Sequence, residues 1–272
     1  MIDAFSIIIL IQIILETVPV SSSGHVAIFK HLIKNFAPKI GSSCNGALCE
    51  LLNLPTVIIL ALFFRKRLVE ISKHLLTSKI SYAAYKPILK VIFYAIAANA
   101  ITFSAYISVP GFFYQNRSIL LLGLTFSMLI LLSLKFINPN QNHENITMQK
   151  AFLIGFAQAF SVIPGVSRFG ITYATSRWLN ISPKHSFEFS FFLHAMLSGG
   201  VLLKGILLPG PFLSLIIPLL SISKIFIIII ASIISYFGLS LSWYLAIKET
   251  FWKFGFYYVI PISTLLFSIF AL

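Results

Sequence analysis

Long apolar runs separated by short polar stretches fill most of this 272-residue sequence. Several runs approach or exceed the roughly 20 residues that a helix needs to cross the hydrocarbon core of a bilayer. Hydrophobic residues make up 58% of the chain and charged residues 10%, whereas a soluble domain averages about 25% charged residues. The sequence therefore predicts an all-α polytopic membrane protein, with no polar stretch long enough for a soluble domain.

Six of the apolar runs have about the length of transmembrane helices. They cover Leu48–Phe64, Ile88–Ile107, Ile119–Ile137, Phe187–Leu203, Ile225–Ala246 and Phe254–Leu272.

Two further apolar segments are too short to cross a bilayer and are broken by polar residues. The first break reads ETVPVSSSGH (residues 16–25) and the second reads PGVSRFGIT (residues 164–172), and each has a serine three residues after a proline, at Ser22 and Ser167. Non-helical backbone at membrane depth is tolerated only where it is buried in protein or lines a wet cavity. We therefore predict two re-entrant helix hairpins whose turns meet and satisfy each other and a ligand.

The order of these elements repeats along the chain. A broken hairpin and three spans occupy residues 1–137, and the same series occupies residues 150–272. Because three spans per half is an odd number, the second half enters the membrane from the opposite side. This predicts an inverted-topology repeat within a single membrane domain, residues 1–272, with a site where the interrupted helices meet.

Basic residues outnumber acidic ones, with 20 Lys and Arg against 7 Asp and Glu. The positive-inside rule accounts for this excess and predicts that the basic loop of residues 65–90 is cytoplasmic. Nucleic-acid binding would need a solvated basic face with stacking aromatics, and the phenylalanines lie mostly in apolar runs. We therefore predict no nucleic-acid partner, and the sequence does not indicate an oligomeric state.

Arg168 lies in the second break, in an apolar setting where an arginine is costly unless it is paired. One interpretation is a structural ion pair with Glu16 or Glu188. The functional interpretation is an anion clamp, because a guanidinium binds phosphate through two parallel hydrogen bonds.

The residues around this arginine suit anion binding. Gly165 and Gly170 allow close approach of the backbone, and a helix N-terminus after the break supplies N–H donors. Ser22, Ser167 and Thr172 supply hydroxyl donors. The candidates for substrate binding are Gln12, Ser21, Ser23, Gly165, Ser167, Gly170 and Thr172.

Glu16 and Gln12 lie four residues apart, on one face of the first broken helix. A carboxylate in a membrane segment is either an interfacial group at the helix end or a functional group. In the functional interpretation Glu16 is a general base or a metal ligand, because Mg²⁺ sites combine one or two carboxylates with substrate phosphates.

His25 and the three serines before it complete the candidates. The histidine is either an interfacial side chain or a group for proton transfer or nucleophilic attack on phosphorus. Ser21, Ser22 and Ser23 are either helix caps or include a nucleophile activated by Glu16 or His25. Together, base, hydroxyl, imidazole, arginine and glycine-rich turns suit phosphoryl transfer, where positioning and charge stabilisation carry most of the catalysis.

At these residues the chain resembles the bacterial undecaprenyl-diphosphatases of the bacitracin-resistance type. That family has an (E/Q)xxxE motif, matched by Gln12 and Glu16, which runs into PVSS(S/T)GH, matched by residues 19–25. Its second signature, PGxSRSGxT, is matched by residues 164–172 at all fixed positions but one. The stretch LLNLPTVIILALFFRKRL resembles the family's glutamine-containing span with its basic cluster, and EFSFFLHAM resembles its FSFLLAIPA segment, so the likeness covers most of the chain.

Four departures from the family pattern bear on the expected site. Phe169 replaces the usual serine of SRSG, so one phosphate contact is expected to be missing. Gln12 takes the first acidic position, which weakens a metal site made of two carboxylates. Asn53 and Met196 replace the family's usual glutamine and proline.

The resemblance implies six spans with two re-entrant hairpins, in agreement with the repeat. It implies hydrolysis of undecaprenyl diphosphate to the monophosphate, which recycles the lipid carrier for cell-wall polymers and gives resistance to bacitracin. The site would open toward the outer face of the bacterial cytoplasmic membrane, with membrane lipids around the tail. A divalent cation, Mg²⁺ or Ca²⁺, is expected to assist.

Our sequence-based hypothesis assigns a role to each reacting group. Arg168 clamps the terminal phosphate, Ser22 is the nucleophile with Glu16 as its base, and His25 protonates the leaving oxygen or stabilises the phosphorylated state. Attack by His25, or by water that Glu16 activates, remains an alternative. So do a transporter or flippase for a polyprenyl phosphate lipid, which breaks no bond, and a degenerate homologue that Phe169 has inactivated.

Overall fold

The computed structural model describes residues 3–33, 51–66, 68–69, 82–108, 116–137, 146–207, 219 and 221–270. Every regular element in this part of the chain is helical. The α-helices are α1 (Ala4–Glu16), α2 (Ser22–Ile33), α3 (Asn53–Phe63), α4 (Tyr82–Ser108), α5 (Arg117–Ser133), α6 (Met148–Ala159), α7 (Arg168–Trp178), α8 (Pro183–Leu207), α9 (Ile222–Ile247), α10 (Phe254–Tyr257) and α11 (Val259–Phe270). Short 3₁₀ turns at Leu134–Phe136, Phe160–Val162 and Phe251–Lys253 extend α5 and α6 and lead into α10.

Three helical stretches among the described residues are long and apolar enough to cross a membrane: Arg117–Phe136, Ile222–Ile247 and Phe251–Ile269. They match three of the six predicted spans to within a few residues. The other three predicted spans fall in α3, α4 and α8, where the described residues contain only the shorter apolar stretches Asn53–Phe63 and Ile92–Ala105. The chain is thus an all-α protein with several membrane-spanning helices, while the count of six spans stays a prediction.

Helix caps and a proline define the first break. α1 begins behind Asp3, whose carboxylate accepts a hydrogen bond of 2.8 Å from the Ser6 amide. The helix ends at Glu16 shortly before Pro19, which has no N–H to continue a helix. α2 begins after Ser21, whose hydroxyl oxygen accepts the Gly24 amide at 3.1 Å. The two helices then pack against each other as a hairpin.

The second break repeats this design. Thr147 caps α6, which ends in the 3₁₀ turn before Pro164. Ser167 caps α7 by accepting the Gly170 amide at 3.1 Å. α7 packs against both α6 and α8. Both breaks are helix–turn–helix units as predicted, whereas their depth in a bilayer and the repeat relation of the two halves stay predictions.

Charged groups mark the two ends of the helix assembly. At the first residues of α9, Lys224 forms an ion pair with Asp3, and this pair, with the Ser6 hydroxyl, holds the pKa of the Asp3 carboxyl at about 2. Just beyond the other end of α9, Glu249 pairs with Arg177 at 3.3 Å. The site described below lies between these ends.

Gly155 sets the distance between α4 and α6. A Cβ atom added at this glycine would lie 2.4 Å from the Cα of Ala98, whereas one added at Gly199 in α8 would meet nothing within 4 Å. The Gly155→Ala variant should therefore lose about 1–3 kcal/mol, as overpacked cores do. Gly199→Ala should be neutral or slightly stabilising, because alanine favours a helix.

Thermal unfolding of both variants in detergent checks this prediction. An equal midpoint for Gly155→Ala and the unsubstituted protein would mean that α4 and α6 do not pack this closely.

Candidate active site

The two breaks meet in the interior of the protein. A Cβ atom on Gly24 would lie 3.1 Å from the Cα of Gly165, and one on Gly170 would lie 3.4 Å from the carbonyl oxygen of Pro19. Gly165 also has a φ of +92°, a conformation that side chains disfavour. The structure thus brings together the predicted glycines and the two turns.

Side chains outside the breaks hold the turns in place. The Ser127 hydroxyl of α5 donates to the Gly165 carbonyl at 3.1 Å and accepts the Ser167 amide at 2.9 Å. The Tyr258 hydroxyl donates to the Pro19 carbonyl at 3.2 Å. These bonds satisfy backbone groups that would otherwise be unpaired inside the protein. The sequence analysis did not identify Ser127 or Tyr258, since a single hydroxyl in an apolar helix is not a distinctive signal.

Glu16 lies at the centre of the polar groups. Its Oε2 accepts a hydrogen bond from the Ser22 hydroxyl and another, 3.0 Å long, from Gln12 Nε2. Its Oε1 lies 3.4 Å from His194 Nε2. The glutamate side chain is only 10% exposed, so the arrangement places a carboxylate on a serine hydroxyl in a largely desolvated site.

Arg168 is the first residue of α7, next to these groups. Its Nε is buried without a hydrogen-bond partner, and within the described ranges it forms no ion pair with a carboxylate. The structural alternative, a pair with Glu16 or Glu188, is therefore not what the structure contains. His194 lies within electrostatic range of both Arg168 and Glu16, so the guanidinium belongs to the same site, and without a carboxylate partner it is free to bind an anion.

His25 lies to one side of Glu16. Its Nδ1 is 2.7 Å from the Ser21 carbonyl, which requires Nδ1 to be the donor, and its Nε2 is 3.1 Å from the Tyr257 hydroxyl. No hydrogen bond joins it to Ser22 or Glu16 in the structure. Tyr257, which also stacks on the imidazole at 5.6 Å, was not identified from the sequence.

The remaining predicted hydroxyls have structural partners. Ser21 and Ser167 cap α2 and α7, and Thr172 Oγ1 donates within its own helix to the carbonyl of Arg168 at 3.0 Å. Ser23 is exposed. Substrate contacts by these four residues stay predictions, and the capping interpretation of Ser21 is confirmed.

Phe169 points away from the site. It is 3% exposed, and its ring packs on Phe191, Phe187 and Phe251 at centroid distances of 4.0, 5.2 and 5.6 Å. The departure from the serine pattern therefore adds an aromatic ring to the core behind α7. Because the side chain at position 169 points into the core, the structure does not support the expected loss of a phosphate contact.

His194 is the main site residue that the sequence analysis missed. It stands in the EFSFFLHAM segment on α8 and is 2% exposed. An ionisable residue inside an apolar helix is a signal of function, and this signal was available in the sequence. Of the other two departures, Asn53 has a buried, unpartnered Oδ1, and Met196 packs beside the α4–α6 contact.

An apolar groove of about 390 Å³ runs beside the polar site between α1, α2 and α11. His25 and Tyr257 lie at the end of the groove nearest the first break. Its walls include Leu10, Ile14, Ile28, Phe29, Ile260 and Pro261. A polar site that continues into an apolar groove suits a ligand with a charged head and an apolar tail.

The fold and the site define a class: a helical membrane protein with a buried carboxylate, serine and arginine where two broken helix hairpins meet. The chain belongs to the bacitracin resistance protein BacA family, whose model matches residues 6–263.

Curated relatives agree with this assignment. The chain is 31% identical over 195 residues to an undecaprenyl-diphosphatase of Thermosipho africanus, covering 71% of this chain and 75% of the relative. It is 30% identical over 211 residues to an undecaprenyl-diphosphatase of Geotalea daltonii, covering 74% and 75%. A third relative is undecaprenyl-diphosphatase 2 of Bacillus thuringiensis, 28% identical over 204 residues, or 72% of each chain.

The orientation of Phe169 predicts that restoring the family's serine damages this protein. Phe169→Ser would open a cavity in the aromatic core and bury a hydroxyl, and large-to-small changes of phenylalanine cost about 3–5 kcal/mol. Phe267→Ser is the matched control, because Phe267 is 72% exposed on α11 and should tolerate the change in detergent.

Thermal unfolding and phosphate release of both variants check this prediction. A Phe169→Ser protein as stable as the unsubstituted one and more active would instead place position 169 in the site.

Proposed function

We propose that this protein hydrolyses undecaprenyl diphosphate to undecaprenyl phosphate and inorganic phosphate. The reaction recycles the lipid carrier for cell-wall synthesis and makes the cell resistant to bacitracin. The observation that carries the proposal is the Ser22 hydroxyl hydrogen-bonded to the buried Glu16 carboxylate, with the unpaired Arg168 close by. The matching family and the names of the relatives favour hydrolysis over transport.

The first step is attack by Ser22. Glu16 takes the hydroxyl proton as the serine oxygen attacks the terminal phosphorus, and the bond from that phosphorus to the bridging oxygen breaks. Undecaprenyl phosphate leaves and phosphoserine forms. A water molecule then attacks the phosphoserine, which releases phosphate and restores the serine. Ser22 is preferred to His25 as the nucleophile because only Ser22 is bonded to the carboxylate.

Positive charge and donors stabilise the phosphate during transfer. Arg168 binds the terminal phosphate through its guanidinium, which suits the paired oxygens of a phosphate. Arg168 is also the first residue of α7, and the N-terminus of a helix favours an anion. His25, held by Tyr257, is close enough to the groove to give a proton to the leaving oxygen.

A divalent cation belongs to this proposal as an assisting group. Glu16 Oε1 receives no hydrogen bond among the described residues, and Gln12 Oε1 is buried without a donor, so the residues present fit a cation. Glu16 would hold it, and a bound cation would neutralise charge on the diphosphate.

The site is proposed to open to the outer face of the bacterial cytoplasmic membrane. Lys135, Arg177, Lys248 and Lys253 lie at the end of the assembly where α5 and α9 finish, and the positive-inside rule assigns such an end to the cytoplasm. The α1–α2 hairpin enters from the opposite end, where Asp3 lies, so the first break is reached from outside.

Phosphate release from undecaprenyl diphosphate in detergent tests the proposal. Ser22→Ala and Glu16→Gln should each lower kcat by about 10²–10⁴-fold, the usual contribution of a positioned base, and Arg168→Ala should abolish saturation by substrate. Ser240→Ala is the control, because that exposed hydroxyl bonds only to the Tyr236 carbonyl of its own helix.

Rapid quenching identifies the nucleophile. An acid-stable phosphoserine at position 22 supports the serine route, and an acid-labile phosphohistidine would assign the attack to His25. Phosphate release without any covalent species would assign it to water. If the protein bound the lipid but released no more phosphate than the Glu16→Gln variant, the result would favour a transporter.

The groove between α1, α2 and α11 predicts tail selectivity. Its volume of about 390 Å³ holds only the prenyl units nearest the diphosphate, and the rest of the tail lies among membrane lipids. Leu10→Trp should raise KM for undecaprenyl diphosphate about tenfold, since losing burial of two methylene groups costs about 1.6 kcal/mol. It should leave KM for a diphosphate substrate without a prenyl tail unchanged.

Leu122→Trp is the control for that measurement, because Leu122 is 68% exposed on α5. An equal rise in KM for substrates with and without a prenyl tail, or no rise for Leu10→Trp, would mean that the tail follows another path.

A further inference from the structure

His194 is deeply buried in the site and takes no part in the steps above. Its imidazole lies in the middle of α8 with Nε2 3.4 Å from Glu16 Oε1. Neither ring nitrogen has a hydrogen-bond partner in the described part of the chain. Burying polar atoms without partners costs free energy, so the arrangement calls for a ligand that satisfies the imidazole.

His194 Nε2 faces a carboxylate oxygen, Glu16 Oε1, and the Arg168 guanidinium lies within electrostatic range of the same imidazole. Both hydrogen bonds to Glu16 reach its Oε2, which leaves Oε1 facing the imidazole. Gln12 Oε1 is also buried without a hydrogen-bond donor. A carboxylate oxygen and an amide oxygen on α1 and an imidazole nitrogen on α8 form the kind of donor set that binds a divalent cation.

We propose that His194 Nε2 binds the assisting cation together with Glu16 Oε1 and Gln12 Oε1, and that it directs the site toward first-row transition-metal ions, for which Mn²⁺ serves as the spectroscopic probe, rather than Mg²⁺ or Ca²⁺. The catalytic role of the cation in this inference rests on the proposed function, whereas the binding of the cation does not. Two ligand atoms that are each about 2.1 Å from one cation lie about 3.0–3.4 Å apart, and the observed separation of 3.4 Å fits this range.

The sequence explains why an extra ligand is useful here. Gln12 stands where the (E/Q)xxxE motif allows a second carboxylate, so the first hairpin offers one charge where other sequences offer two. His194 stands where the FSFLLAIPA segment has an alanine. The imidazole nitrogen of His194 on α8 thus adds a ligand to a cation site in which the Gln12 amide supplies no charge. Imidazole is a good ligand for transition metals, whereas Mg²⁺ and Ca²⁺ prefer all-oxygen sites.

Pulsed electron paramagnetic resonance on the full-length protein tests the proposal. The protein, free of any affinity tag, is stripped with a chelator in detergent and loaded with Mn²⁺. The unsubstituted protein should show coupling between Mn²⁺ and a nitrogen nucleus. His194→Ala should lose this coupling and bind Mn²⁺ at least about tenfold more weakly, while its affinity for Mg²⁺ changes less than threefold.

His185→Ala is the matched control on the same helix. His185 bonds to the Ser182 hydroxyl at 2.8 Å and lies about two and a half turns from His194, so nitrogen coupling and affinity should stay unchanged. Mn²⁺ bound by the unsubstituted protein without nitrogen coupling would overturn the proposal, and this result does not depend on how any variant folds. Coupling that persists in His194→Ala with unchanged affinity would overturn it too.

Metal binding and catalysis are measured separately, so their failures can be told apart. Phosphate release without nitrogen coupling would leave the diphosphatase assignment standing and remove His194 from the metal site. Nitrogen coupling that His194→Ala abolishes, in a protein that releases no phosphate, would support the metal site and contradict the proposed function.

Discussion

The buried carboxylate of Glu16 is the constraint on which the rest of the site depends. An ionised group inside a membrane protein must be hydrogen-bonded or paired, because its desolvation is costly. Ser22 and Gln12 donate to one oxygen, and His194 faces the other. A different element holds each partner. Ser22 is the first residue of α2, Gln12 lies on the same face of α1 as Glu16, and His194 lies on α8. The carboxylate therefore requires that the breaks and α8 meet.

The two breaks can pack against each other because side chains outside them form hydrogen bonds with their backbone amides and carbonyls. Turns at this position expose amides and carbonyls that neither lipid nor a helix ladder can pair. Ser127 and Tyr258 supply those bonds to Gly165, Ser167 and Pro19. Glycines then remove the side chains that would hold the turns apart. Positioning of the reacting groups is thus a consequence of packing between α5, α10 and the two hairpins.

The sequence predicted the elements that depend on local patterns. Apolar runs, prolines and capping serines are read within a few residues, so the helical class and the two helix breaks followed from them, while membrane re-entry and the roles of the site residues stay predictions. Ser127, Tyr257 and Tyr258 could not be found in this way, because their roles depend on which helices pack together. Phe169 illustrates the same limit, since a motif gives the identity of a residue but not the direction of its side chain.

Phe169 on α7 and His194 on α8 both depart from the family pattern. The two residues have opposite effects on the polar site. Phe169 joins aromatic residues of α8 in the core and leaves the polar site intact. His194, one turn beyond Phe191 on α8, adds a polar group to that site. Because α7 packs directly on α8, loss of the Phe169 ring would also disturb the helix that presents His194. The aromatic packing and the extra imidazole therefore depend on the same α7–α8 contact.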